Sequence, residues 1–229
     1  MNILALDSSQ EVLSAALAMG EDLWYSEINA GRRHSELMMD CVDWLFKSAG
    51  IAPNELNLVA CMKGPGSFTG LRIAYAAAKG LAMALEIPLR AIPTLECMAR
   101  HLSFWPGIVL PVIDAKQGRF FTALYREGKL LGPYMDASPE TLIEEIKGAK
   151  KNSEDKIILT GSGAPLFKSL LPPEKFRPDD ILLDPQYGRG RARELLEITK
   201  CVIIEEVNDL DSGPLYLRKS DAEQKAGKK

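Results

Sequence analysis

The sequence predicts an α/β protein of two lobes, both built on one duplicated strand–strand–strand–helix–strand–helix unit. Three observations carry this prediction. The first is the glycine turn Lys63-Gly64-Pro65-Gly66-Ser67-Phe68-Thr69-Gly70-Leu71-Arg72, set between the apolar run Leu58-Val59-Ala60-Cys61 and a long apolar segment from Ile73 to Leu85. The second is an internal match: Asp7 falls on Asp114, Gln10 on Gln117, Ala16 on Ala123 and Leu17 on Leu124 without a gap. The third is a second strand followed by Gly-x-Gly, Ile157-Ile158-Leu159-Thr160-Gly161-Ser162-Gly163, which repeats the arrangement ending at Gly64 and Gly66. Two matches in one order point to duplication, with one unit in each lobe.

Taken in order, Ile3-Leu4-Ala5-Leu6 reads as a buried strand and Asp7-Ser8-Ser9-Gln10 as a turn. Val12 to Leu17 and Leu23 to Ile28 supply a second and a third strand. A helix follows from about Ser35 to Ser48, and Gly50-Ile51-Ala52-Pro53 ends it. Its apolar positions, Leu37, Met38, Met39, Cys41, Val42, Trp44, Leu45 and Phe46, make a stripe too wide for a helix covered on one side only. The helix after the glycine turn is rich in small residues, with Ala74, Ala76, Ala77, Ala78, Gly80, Ala82 and Ala84. Small side chains admit a close neighbour, which is either the protein's own fold or a partner. Leu89 to Pro93 reads as an edge strand. The break at Trp105-Pro106-Gly107 places the lobe boundary, giving a first lobe of 1–104, a second of 105–218 and a polar, disordered tail of 219–229. Ser138-Pro139 starts a capped helix. Gly188-Arg189-Gly190-Arg191-Ala192-Arg193 reads as the solvated start of another helix, more a surface than an RNA contact.

Composition bounds the function classes. A chain of 229 residues that is 46% hydrophobic and 26% charged can bury a full core. A net charge of −3 gives no global positive field, so an RNA substrate would have to be held by something else. Met1 to Asp7 lacks a basic flank and meets an acid too early for a signal peptide, and the most apolar helix carries Arg72 and Lys79, which excludes a membrane span. Cys41, Cys61, Cys97 and Cys201 are scattered without a CxxC pair and are expected as reduced thiols, so a cytoplasmic location is expected.

The chemistry-bearing residues cluster at two places. Asp7 and Ser8 on the hairpin tip, with Gly64, Gly66, Ser67 and Thr69 on the glycine turn, are the candidate nucleotide or phosphate ligands. A strand, a glycine turn and a helix start can aim backbone N–H groups at an anion, and Ser67 or Thr69 can cap that helix. The same glycines serve equally as a tight turn. The turn is no Walker A loop, because no Gly-Lys-Ser/Thr closes it. No Gly-x-Ser-x-Gly and no His-Glu-x-x-His occurs, so a peptidase is unsupported.

The string from Lys63 to Arg72 resembles the signature of the TsaB (YeaZ) family, partner proteins in making threonylcarbamoyladenosine in the anticodon loop of tRNAs. The Leu6-Asp7-Ser8-Ser9 start, Arg32-Arg33-His34-Ser35-Glu36-Leu37 and the Pro214-Leu215-Tyr216-Leu217-Arg218 ending are similar as well, so the resemblance spans residues 1 to 218. It implies a two-lobed actin-like ATPase (ribonuclease H-like) fold and a non-catalytic subunit that binds and activates TsaD. It also implies an ATPase, TsaE, joining the assembly and tRNA reached only through the complex, while the apolar patch of the two first-lobe helices is expected to form a homodimer when the chain is alone. TsaD-like relatives carry a metal-binding His-x-x-x-His helix. The matching stretch here, Pro93 to Ala99, has no histidine, so neither a metal nor a catalytic residue is expected. No cofactor is expected in the isolated chain, with ATP or ADP possible in the complex. The partner interface is expected at Leu37, Cys41, Trp44, Ala74, Ala77, Ala78 and Leu81, on the two apolar helices. The alternative is a free-standing actin-like kinase or ATPase, which Asp7, Asp114 and two glycine turns would serve.

Overall fold

A computed structural model describes residues 1–152, 154–201 and 208–218. The expected tail of 219–229 lies outside the described residues. The chain divides into two compact units.

In the first unit, β1 (Asn2–Asp7), β2 (Val12–Met19) and β3 (Asp22–Asn29) form an antiparallel meander. Helix α1 (His34–Ala49) leads to β4 (Leu58–Gly64), and α2 (Phe68–Leu85) leads to β5 (Leu89–Pro93) and α3 (Thr94–Arg100). β4 lies parallel to both β1 and β5, giving the sheet order β3-β2-β1-β4-β5.

The second unit repeats the plan. β6 (Ile108–Asp114), β7 (Phe120–Thr122) and β10 (Met135–Ala137) are antiparallel neighbours, and the short β8 (Tyr125–Arg126) and β9 (Lys129–Leu130) form a side hairpin. Helix α4 (Pro139–Ala149), capped by Ser138, precedes β11 (Ile157–Thr160). Helix α5 (Ala164–Ser169) precedes β12 (Ile181–Leu183), and the chain then enters α6 (Ala192–Lys200). The order β10-β7-β6-β11-β12 matches the first sheet strand for strand. The duplication is therefore architectural, but it is not gapless. Asp7 pairs with Ser14, whereas Asp114 pairs with Phe120, one residue earlier than the sequence superposition requires. The second hairpin tip is shorter by one residue, and turn length sets register.

Alternation along β1 decides what covers each face of the first sheet. Leu4 and Leu6 point to one side and pack with Val59 and Cys61 against Met38, Val42 and Leu45 of α1 and Ala74 and Ala78 of α2. Ala5 points to the other side, joining Ala16, Ala18, Ala60 and Met62 against Leu195 and Leu196 of α6. Alanines on that face let α6 approach the sheet closely. This revises the expected lobe boundaries of 1–104 and 105–218. The first unit comprises Met1–Cys97 with Arg189–Leu215, and the second comprises Met98–Gly188 with the segment that begins at Tyr216. The last helix of the second repeat thus belongs to the first unit's core. Strand β5 is an edge strand, as expected, and its backbone is covered: Asp209 N donates to the Leu89 carbonyl at 2.8 Å and Ala91 N donates to Asp209 Oδ2 at 2.9 Å.

Within the second unit, Asp184 lies close to the end of β11. Its Oδ2 contacts His101 Nε2 at 2.9 Å and accepts from Thr160 Oγ1 at 2.7 Å, and its Oδ1 accepts from Gln186 N at 2.9 Å. Burial alone would push this carboxyl up, but the hydrogen bonds from His101, the Gln186 N–H and Thr160 outweigh it and hold it at about 2. A depressed carboxyl stabilises the fold fully above its unfolded value of 3.8, and that contribution disappears as pH falls towards about 2. Asp184→Asn is accordingly expected to cost about 1.5–3 kcal/mol at pH 7, the range for hydrogen bonds to a charged group. In urea titrations the gap between wild type and variant should close near the low end of that pH window. A gap that stays constant across it would refute the assignment.

Candidate functional site

The glycine turn and the Asp7 tip do come together, but they are joined to each other. Ser67 N donates to the Ser9 carbonyl at 2.7 Å, and Ser8 Oγ donates to the Gly70 carbonyl at 2.7 Å. A Cβ on Gly66 would lie 2.5 Å from the Ser9 carbonyl oxygen, and one on Gly70 would run into the Ser8 carbonyl. On the far side, Leu215 N donates to the Lys63 carbonyl at 2.6 Å, and a Cβ on Gly64 would sit 2.5 Å from the Leu215 carbonyl oxygen. Gly64 also has φ of +109°, which glycine adopts without cost. These glycines make room for the protein's own backbone. Ser67, not Thr69, caps α2, its Oγ accepting from Gly70 N at 3.2 Å, while Thr69 is exposed on the first turn.

Asp7 is 1% exposed, and its carboxylate is occupied. Oδ1 accepts from Ser9 N at 2.9 Å and from Ser9 Oγ at 2.7 Å, and Oδ2 accepts from Arg191 N at 2.9 Å. Ser14 Oγ accepts from Ala192 N at 3.1 Å. The first hairpin therefore satisfies the leading N–H groups of α6, which lacks a side-chain cap of its own. Asp7 and Ser8 are therefore turned into the fold, 1% and 0% exposed, and bonded to the protein's own groups. Sequence reasoning missed the roles of Arg191 and Ser14. The basic run 188–193 was expected to be solvated, yet Arg191 is 1% exposed and its Nη1 lies 3.2 Å from Glu194 Oε1. Gly190 packs against Ser14, Arg189 pairs with Glu27 at 2.8 Å, and Arg193 keeps to the exposed side beside Glu197. The one local signal was the glycine at 190, placed where α6 must pass close to β2.

The two histidines serve separate units, His34 in the first and His101, beside Asp184, in the second. Burial pushes the His34 ring below its usual range. Among the described residues, no cluster of three or more His, Cys, Asp or Glu could hold a metal ion, and no helix is long and apolar enough to cross a membrane. Cys41, Cys61 and Cys97 are buried, and desolvation pushes their thiols up, so they stay protonated.

The expected interface residues fall into three groups. Cys41, Ala74 and Ala78 lie inside the first core, so they present no surface to a partner. Leu37, Ala77 and Leu81 are partly buried against that core. Trp44 is half exposed, and the same helices expose Met39 and Met83. The small residues of α2 thus divide between two faces: Ala74, Ala78 and Ala82 admit the sheet, while Ala76, Gly80 and Ala84 face solvent.

The doubled sheet order, with a glycine turn after the fourth strand of each repeat, defines an actin-like, ribonuclease H-like protein of two units. A protein from Pseudomonas aeruginosa described as similar to the peptidase YeaZ superposes with TM-score 0.80 at 26% identity, covering 95% of this chain and 99% of its own. YeaZ from the same organism gives TM-score 0.76 at 26% identity, covering 94% and 99%. A family model of TsaD, tRNA N6-adenosine threonylcarbamoyltransferase, matches residues 28–168. The tRNA threonylcarbamoyladenosine biosynthesis protein TsaB of Bacillus subtilis is 30% identical over 227 residues, which is 98% of this chain and 97% of its own. The chain belongs to the TsaB (YeaZ) family.

Proposed function

We propose that this protein is a non-catalytic partner subunit in tRNA threonylcarbamoyladenosine biosynthesis, docking a TsaD-type transferase through the outer faces of α1 and α2. The observation that carries the reading is the closure of the tip. The groups an actin-like enzyme would turn toward a nucleotide are engaged within the protein: Asp7 by Ser9 and Arg191, the Ser8 hydroxyl by the Gly70 carbonyl, and the Ser67 N–H by the Ser9 carbonyl. What the same unit offers instead is apolar surface, with Trp44 50% and Met83 61% exposed. A stable heterodimer of this kind buries about 1,200–2,000 Å² in total. The same surface serves a homodimer when the transferase is absent, and TsaE, ATP or ADP and tRNA join only in the assembled complex. The cytoplasm, where tRNA is modified, is its site of action.

The test is reconstitution of tRNA modification with each subunit left out in turn, together with co-purification. Trp44→Glu is expected to keep the melting temperature within about 2 °C, as surface substitutions do. Docking should weaken at least about thirty-fold if Trp44 anchors the contact. Modification that proceeds at full rate without this chain, or tight ATP binding and hydrolysis by the isolated protein, would overturn the reading, the second in favour of a free-standing ATPase.

A further inference from the structure

The two hairpin tips created by the duplication are held in different ways. The first is packed under the glycine turn. The second, Asp114 to Arg119, runs through three successive left-handed residues: Lys116 with φ of +61°, Gln117 with +56° and Gly118 with +71°. Two of these carry a Cβ, and such conformations persist only where the surroundings enforce them. Lys116, Gln117 and Gly118 are all exposed. Within the tip, Asp114 Oδ1 accepts from Lys116 N at 2.8 Å and Asp114 Oδ2 accepts from Lys116 Nζ at 2.7 Å, and the ends of the tip are held by Arg218. Its Nε and Nη2 grip the two oxygens of Asp136 at 2.8 and 2.9 Å, and its Nη1 donates to the Ala115 carbonyl at 3.0 Å. Asp136 Oδ1 in turn accepts from Arg119 Nε at 2.8 Å, and the Asp136 carbonyl accepts from Arg119 Nη2. The tip is thus fixed at both ends, at Ala115 directly and at Arg119 through Asp136. The backbone bonds Ala115 N to the Arg119 carbonyl and Arg119 N to the Lys116 carbonyl, both near 3 Å, close the loop between those anchors.

We propose that residues 216–218 form a strap that, through Arg218 as positioning residue, holds the Lys116–Gly118 tip in its left-handed shape, so that undocking the strap remodels the surface this tip presents. Residues 212–216 belong to no helix or strand, and on this strap the Arg218 side chain provides the guanidinium fork. The arrangement is suited to release, because one planar ion pair is made or broken as a unit. It also gives the ending Pro214-Leu215-Tyr216-Leu217-Arg218 two tasks: Leu215 supports the glycine turn of the first unit, and Arg218 shapes the tip of the second.

The test compares the full chain with Arg218→Ala and Arg218→Lys by amide hydrogen exchange and by the HN–Hα couplings of Lys116 and Gln117. Exchange at Ala115 and Arg119 should rise at least about ten-fold in Arg218→Ala, as for a local opening, while amides of β6 and β11 keep their protection. The couplings of Lys116 and Gln117 should leave their left-handed values. Arg218→Lys keeps the charge but not the fork, so it should show the same local change. If Arg218→Ala does not fold, Arg218→Lys decides. Unchanged exchange and couplings at 115–119, a uniform rise over the whole second unit, or full rescue by lysine would each overturn the proposal.

Discussion

Ala78→Glu is expected to abolish folding of the first unit, whereas Ala76→Glu, two residues away on the same helix, is expected to leave it intact. Ala78 is fully buried and packs in the core with Leu4, Leu6, Val59 and Cys61 around it. A carboxylate there has no partner and no water. Leaving a charge buried and unpaired costs several kcal/mol, and the added volume strains the core by about a further 1–3 kcal/mol. Against a total stability of about 5–15 kcal/mol, that sum removes most or all of the margin. Ala74→Glu should behave in the same way. Ala76 is exposed, and glutamate there is a fair helix former. Circular dichroism melts of the purified variants check the contrast. A folded, wild-type-like Ala78→Glu would mean that α2 does not lie on the sheet as described, and would return Ala78 to the partner interface.

Asp7→Ala should be the most damaging polar substitution in the first unit. It strands three donors: Ser9 N, Ser9 Oγ and Arg191 N. At about 1–3 kcal/mol for each buried group left unsatisfied, the loss is about 3 kcal/mol or more. For a chain of this size that lowers the melting temperature by about 10 °C. Asp7→Asn, which keeps an acceptor, should cost less. The sign of the effect separates two roles. A carboxylate kept for binding a ligand is usually strained or under-satisfied in the free protein, so its removal leaves stability unchanged or raises it. A carboxylate that caps α6 lowers stability when lost. Differential scanning calorimetry with and without Mg-ATP reads both, and a melting temperature that rises in Asp7→Ala and loses an ATP-dependent shift would reinstate Asp7 as a nucleotide ligand.

Several of the expectations drawn from sequence held because they rest on local chemistry. The apolar run Ile3 to Leu6, the strand–glycine–helix layout at 58–85 and the repeated order in the second half each follow from residue type and turn chemistry within a few tens of residues. The family likewise was readable from the string around Gly64 to Arg72 and its companions. The expectations that changed all concern which surfaces meet. Alanines at 74 and 78 suggest a partner helix because small residues permit close approach, but they permit a sheet to approach as readily as a helix. The basic neighbours of Arg191 suggest solvent, yet it sits buried where α6 begins against Asp7.

By itself the sequence determined the α/β class, the doubled unit, the glycine turn and the family, since each is encoded by residue type at short and regular spacing. Only the tertiary structure decided that α6 completes the first unit, that Asp7 caps that helix, and that the glycine turn is filled by Ser8, Ser9 and Leu215. Those contacts join residues that are mostly far apart in the chain, such as Asp7 with Arg191 and Lys63 with Leu215. Periodicity specifies that a face is apolar or that an acid is present, while the choice among several sheets, helices and turns that could satisfy it is made by the summed packing of the folded chain.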